Sequence, residues 1–295
     1  MTDPETWMRL LTSPFMLRSL IVALLVGFSA PIVGTYLVQR RLSLLGDGIG
    51  HVSLVGVAMG WLVGNLAEFS DRDMLALPGA AIAAVAGALI LELLRRRGAT
   101  SGDVAMALLF YGGIAGGVLI IGLAGGDTAH LNSYLFGSIA SVGDSDVVMT
   151  VIMALVILLV GIGLRPALFA VCHDEAFARA CGLPVGAITA LLAVLSALTV
   201  AAAMRVVGVL LVSALMIVPV AIAQLLTSSF AATMRAAIAV SVMMCVLGLV
   251  FSYFYPVSSG ATIVVGLIVM YAVVATLRPV LLRGSTAREV RGGQN

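Results

Sequence analysis

The sequence predicts an all-α membrane protein, a polytopic bundle of eight to nine transmembrane helices with residues 1–295 forming a single domain. Three observations carry this prediction. Hydrophobic residues make up 61% of the chain and charged residues 10%, with a mean hydropathy of +1.17. A soluble domain carries about 25% charged residues to cover its wet surface. The apolar residues come in runs of roughly 20, the length a helix needs to cross the hydrocarbon layer. The runs are apolar on every side, which suits a helix; an outer-membrane barrel would alternate, and an open strand in lipid leaves backbone groups unsatisfied. A soluble enzyme and a disordered chain are thereby excluded.

The elements come in this order. Residues 1–14 are polar, with Asp3 and Glu5 and no basic leader. The run at 15–38 is too long for a signal-peptide core and lacks a clear cleavage site, so it reads as an uncleaved first span. Further runs occupy 48–66, 77–94, 103–123, 146–165, 185–203, 206–226, 233–254 and 258–278. The runs around Met204–Arg205 are either two spans with a tight outer turn or one broken helix with a re-entrant piece. Pro31 and Pro219 fall inside runs and mark bends. Gly56, Gly60 and Gly64, and the pairs Gly112/Gly116 and Gly113/Gly117, supply small surfaces for close helix packing, within the chain or between two copies.

Arginines set the orientation. Arg40, Arg41, Arg95, Arg96, Arg97, Arg165, Arg179, Arg235, Arg278, Arg283, Arg288 and Arg291 all come after odd-numbered runs. With the N-terminus outside, these face the cytoplasm and only Arg9, Arg18, Arg72 and Arg205 remain outside. The tail at 280–295 is then cytoplasmic.

Composition also limits the chemistry. The chain has no lysine, so it cannot carry a P-loop. A net charge of +2 gives no footprint for nucleic acid. Cys172, Cys181 and Cys245 form no CxxC and read as free thiols. No HExxH, GxSxG or Ser–Lys arrangement occurs in a span.

The most informative cluster is Gly46-Asp47-Gly48-Ile49-Gly50-His51, opening the second span. Spacing of i,i+4 puts Asp47 and His51 on one helix face about 6 Å apart. Ionisable groups in a span are costly and are functional candidates by default. Carboxylate plus imidazole suits Zn²⁺ or Mn²⁺; the alternative is a hydrogen-bonded structural pair at the membrane edge. In the outer loops, Asp127 with His130 is a possible metal entry, and Glu68, Asp71 and Asp73 around Arg72 could steer cations or a delivery protein, or simply be solvated. Glu92 and Asp103 flank Arg95–Arg97 and read as charge partners. In the inner loop, Asp174, Glu175 and Ala176 open a short helix and Gly182 ends it. Such a helix is either a docking element or a solvated turn.

Taken together, these segments resemble the membrane subunit of zinc/manganese/iron-type ABC importers over about residues 15–280. The family's G-D-A-L-S-H-A-x-L-P-G is similar to Gly46 through Gly56; its L-F-G-S-I is Leu135 through Ile139; its D-x-x-A-x-x-x-G resembles Asp174 through Gly182. Val207 through Pro219 is similar to V-G-x-L-L-V-x-A-L-L-I-x-P, and Pro256 through Val264 resembles P-x-G-A-x-I-V with one extra residue. Gly50 stands where the family often has Ser and Val55 where it often has Pro, which leaves the bend of the second span open.

The resemblance implies a type II importer permease that is no enzyme itself and binds no permanent cofactor. It implies a homodimer in the prokaryotic plasma membrane, paired with cytoplasmic ATP-binding subunits and an extracellular or periplasmic metal-binding protein. Asp47 and His51 would meet the divalent ion, zinc or manganese, with iron as a further candidate. Asp174, Glu175, Ala176 and Gly182 would form the coupling helix toward the ATPase. Rival readings are a permease for a siderophore or cobalamin, a stand-alone proton-coupled transporter, and an intramembrane metal hydrolase.

Overall fold

In a computed structural model, residues 13–67, 72–97, 102–123, 128–138, 142–204 and 206–292 are described. All their regular structure is helical. The helices are α1 (Pro14–Gln39), α2 (Leu45–Leu66), α3 (Ala76–Arg97), α4 (Gly102–Leu123), α5 (Thr128–Phe136), α6 (Asp144–Gly163), α7 (Arg165–His173), α8 (Glu175–Ala180), α9 (Val185–Ala203), α10 (Val209–Leu226), α11 (Phe230–Phe254) and α12 (Ser259–Gly292). Among the described residues, eight helices are long and apolar enough to cross a membrane. They are α1, α2, α3, α4, α6, α9, α11 and the first part of α12; the apolar stretch Leu211–Leu226 in α10 is shorter.

Two helices organise the bundle. α1 packs on α6, α9, α10 and α11, and α2 on α3, α4, α9 and α10, while α12 closes against α10 and α11. Buried Val22, Val26, Ile32, Val33 and Tyr36 make α1 the middle of the core. The Tyr36 hydroxyl donates to the Gly161 carbonyl of α6 at 2.7 Å, satisfying a buried polar group. Large exposed side chains on α4, α6 and α12, such as Leu108, Leu159 and Ile268, are apolar. In water such a surface would aggregate; in lipid it is the solvated face. α1 and α10 run on through Pro31 and Pro219. α2 is likewise continuous through Val55.

Small residues set the spacing around α2. A Cβ on Gly56 or Gly60 would collide with backbone of α3 at Gly79 and of Leu75 just before it. A Cβ on Gly113 would lie 2.7 Å from the carbonyl carbon of His51, so α4 sits directly on α2. The glycine pairs therefore serve packing within the chain, although Gly112 faces open space.

Two helices stand where loops were expected. α7 has Pro166 in its first turn and turns Leu168, Val171 and Cys172 inward, so a buried apolar stripe holds it. α5 is held by Tyr134, 1% exposed and edge-on to Trp61 at 5.4 Å. The α9–α10 break differs from a tight outer turn. Met204, Val206 and Val207 are fully buried, and Gly208 turns the chain at φ +88°. There the backbone touches Leu135 and Gly137, while the Ser259 hydroxyl donates to the Val206 carbonyl at 2.7 Å and that of Ser258 to the Phe136 carbonyl at 2.5 Å. Irregular backbone at depth needs such protein cover. Three motif segments, around Gly137, Gly208 and Gly260, thus meet at one knot. Arg205 lies outside the described residues.

Candidate functional site

α2 positions the first candidate pair. Asp47 stands in its first turn and His51 one turn later. Asp47 is half-buried, and the Ser213 hydroxyl of α10 donates to its Oδ1 at 2.6 Å. His51 is 4% exposed. Its ring meets Phe110 of α4 edge-on at 4.4 Å. His51 Nδ1 is buried and has no hydrogen-bond partner. A buried polar atom without a partner costs about 1–3 kcal/mol, so one that persists calls for an explanation.

The neighbourhood is tight and soft. A Cβ on Gly46 would lie 3.4 Å from Ser213 Cβ and 3.6 Å from Met216 Sδ; one on Gly50 would lie 3.3 Å from Val209. The glycines of the motif thus let α2 approach the first turns of α10. Among the described residues no group of three or more His, Cys, Asp or Glu side chains gathers. One chain therefore presents a two-sided partial site, a carboxylate with one oxygen already held by a hydroxyl and an imidazole with a free nitrogen. No sequence motif singled out Ser213, though a hydroxyl in an otherwise apolar span was the available signal.

The second candidate is α8. Asp174 caps it, its Oδ1 accepting from the Phe177 backbone N–H at 2.9 Å. Gly182, at φ +77°, ends it; Gly182 N–H donates to the Arg179 carbonyl and Leu183 N–H to that of Ala178, both at 3.1 Å. This is the left-handed terminator that glycine adopts without a Cβ penalty. The expected start and stop are both present. Ala178 is buried against Val171 and Val185, while Asp174, Glu175, Ala176 and Arg179 are exposed. Phe177 is 63% exposed beside these polar groups.

Asp127 lies outside the described residues, as do Glu68 and Asp71; His130 lies on α5 and Asp73 on the short 3₁₀ turn at Arg72–Leu75, their side chains not described. Glu92 is buried and lines a narrow crevice with Arg95, Arg40 and Thr189. The three cysteines are free: Cys172 and Cys245 buried, Cys181 exposed.

Comparison with known proteins concerns the chain over most of its length. The model of the ABC 3 transport family matches residues 12–278. The manganese transport system membrane protein MntC of Listeria innocua is 32% identical over 266 residues, 90% of this chain and 91% of that one. The chelated iron transport system membrane protein YfeD of Yersinia pestis is 31% identical over 252 residues, 85% of this chain and 82% of the other. The solved structure of PsaBC from Streptococcus pneumoniae in complex with Fab superposes with a TM-score of 0.79 at 30% identity, covering 92% of this chain and 94% of that one.

Proposed function

The chain belongs to the ABC 3 transport family, and from that membership together with the site on α2 we infer how it works. It is the multi-pass permease of a metal importer of the ATP-binding-cassette type in a prokaryotic plasma membrane. It is a transport subunit and not an enzyme.

The finer reading concerns the ion path. Asp47 and His51 hold the passing ion. The observation that supports this most is the buried, unpartnered Nδ1 of His51, one turn from a carboxylate that Ser213 orients. Ser213 occupies one oxygen of Asp47 and leaves the other for the cargo. Two donors per chain bind strongly enough for entry and weakly enough for exit. A homodimer brings two such pairs to one path between the protomers. The cargo is a divalent first-row ion: manganese or iron by the names of the relatives, with zinc sharing the same donor types.

The engine lies elsewhere. An extracellular or periplasmic metal-binding protein delivers the ion to the outer face. Cytoplasmic ATP-binding subunits dock on α8, with Asp174, Glu175, Ala176 and Gly182 shaping the helix and exposed Phe177 as its apolar anchor. Nucleotide-driven movement of α8 shifts the permease between outward and inward access.

The test is uptake of manganese(II) by the complete importer in proteoliposomes. Asp47→Ala and His51→Ala should each lower uptake at least about tenfold, the equivalent of ~1.4 kcal/mol, with the complex still assembled. Unchanged uptake in both would overturn the reading of Asp47 and His51 as the groups that hold the ion.

A further inference from the structure

We propose that Arg40 is the positioning residue that links the docking helix α8 to the metal-binding helix α2. This rests on the reading of α8 as the ATPase-docking element.

Arg40 comes directly after α1, and its side chain is only 9% exposed despite its charge. The guanidinium is held from two sides. One nitrogen donates to the Thr189 hydroxyl of α9 at 3.0 Å, the other to Glu175 Oε2 of α8 at 3.2 Å. Arg179, which also pairs with Glu175 at 3.1 Å, lies on α8 itself. The preceding residue repeats the grip: Gln39 Nε2 stands 3.2 Å from His173 Nδ1, just before the Asp174 cap. Consecutive residues at the end of α1 thus hold both flanks of the α8 start. An arginine suits this position because its rigid planar fork can serve two acceptors at once, which a lysine point charge cannot.

The turn between Arg40 and α2 is stiff. Arg41 N–H donates to the Val38 carbonyl at 3.1 Å and Leu42 N–H to that of Leu37 at 2.9 Å, a closed helix terminator with Arg41 itself at φ +58°. Leu45 N–H then donates to the Leu42 carbonyl at 3.0 Å, and Asp47 lies in the first turn of α2. A pull on Glu175 therefore reaches Asp47 through an ion pair and a hydrogen-bonded turn rather than through a slack loop.

The experiment uses the complete importer in proteoliposomes and reads manganese(II) uptake, ATP hydrolysis and equilibrium manganese(II) binding in parallel. Arg40→Ala should lower the ions moved per ATP at least about fivefold, while hydrolysis and binding stay within about twofold. Arg40→Lys should fall between the two, and the exchanged pair Arg40→Glu with Glu175→Arg should regain at least half of the lost ratio. Where Arg40→Ala fails to assemble, Glu175→Gln and Thr189→Val each cut one arm and should lower the same ratio. An unchanged ratio, or uptake and hydrolysis falling in proportion, overturns the proposal. Phe177→Ala separates this from failure of the docking reading. If that variant leaves ATPase assembly intact, α8 is not the docking helix and both fall. If assembly drops while the Arg40 ratio is unchanged, the link alone falls.

Discussion

At Ser213 a single hydroxyl sets the orientation of the carboxylate on which the ion-path reading turns. Hydrogen bonds to charged groups contribute about 1.5–3 kcal/mol. Ser213→Ala should therefore weaken manganese(II) binding roughly tenfold without abolishing it, and Ser213→Thr, which keeps the hydroxyl, should restore most of it; isothermal titration of the purified permease reads both. Thiol reactivity tests burial at the same scale. Cys181 is exposed at the end of α8, whereas burial pushes the Cys172 thiol up to about 11. Because the thiolate is the reactive form, Cys172 should resist maleimide near neutral pH and react appreciably only as the pH approaches that value. Cys181 should label readily on the isolated permease and be protected once the ATP-binding subunits dock, as mass spectrometry of the labelled peptides would show. Equal labelling of Cys181 with and without those subunits would argue against docking at α8.

Among the elements, α8 and the α2–α4 pair carry distinct burdens. α8 is a six-residue helix, too short to persist on its own. Its cap at Asp174, its terminator at Gly182 and buried Ala178 hold it in place. Loss of an N-cap costs about 1 kcal/mol. Asp174→Ala should thus fray α8 and lower co-purification of the ATP-binding subunits, while the melting temperature of the permease itself changes little. The α2–α4 contact is less forgiving. Gly113→Leu would drive a side chain into the His51 backbone, so α4 must move away. That variant should lose stability by about 3 kcal/mol or more, on the order of an overpacked core, and should express poorly. Gly112→Ala, one residue earlier and facing open space, should be tolerated within the chain; a marked loss of dimer from that change would place the partner copy on this face.

On the proposed reading, the molecule as a whole is a transport body whose motor is a separate set of chains, and the decisive measurement takes advantage of that. Proteoliposomes with the permease alone should take up no manganese(II), and uptake should begin when the ATP-binding subunits and ATP are added. Uptake by the permease alone would point to a proton-coupled carrier. At this scale the sequence was highly legible. Composition and run length identified a helical membrane bundle because lipid admits few backbone solutions, and both inferences are local or additive. The α8 boundaries were legible for the same reason: a cap and a glycine terminator act within a few residues. The partnership of Asp47 with Ser213, the orphaned nitrogen of His51 and the hold of Arg40 on Glu175 were not legible. Each joins residues more than a hundred positions apart, or depends on which helix covers which face. Nor could the buried α9–α10 break be distinguished from a surface turn, since the same apolar residues serve either. Periodicity and composition determine what a segment is; only packing decides what it touches, because side-chain contacts between apolar helices are chosen by shape, and shape exists only once the helices have met.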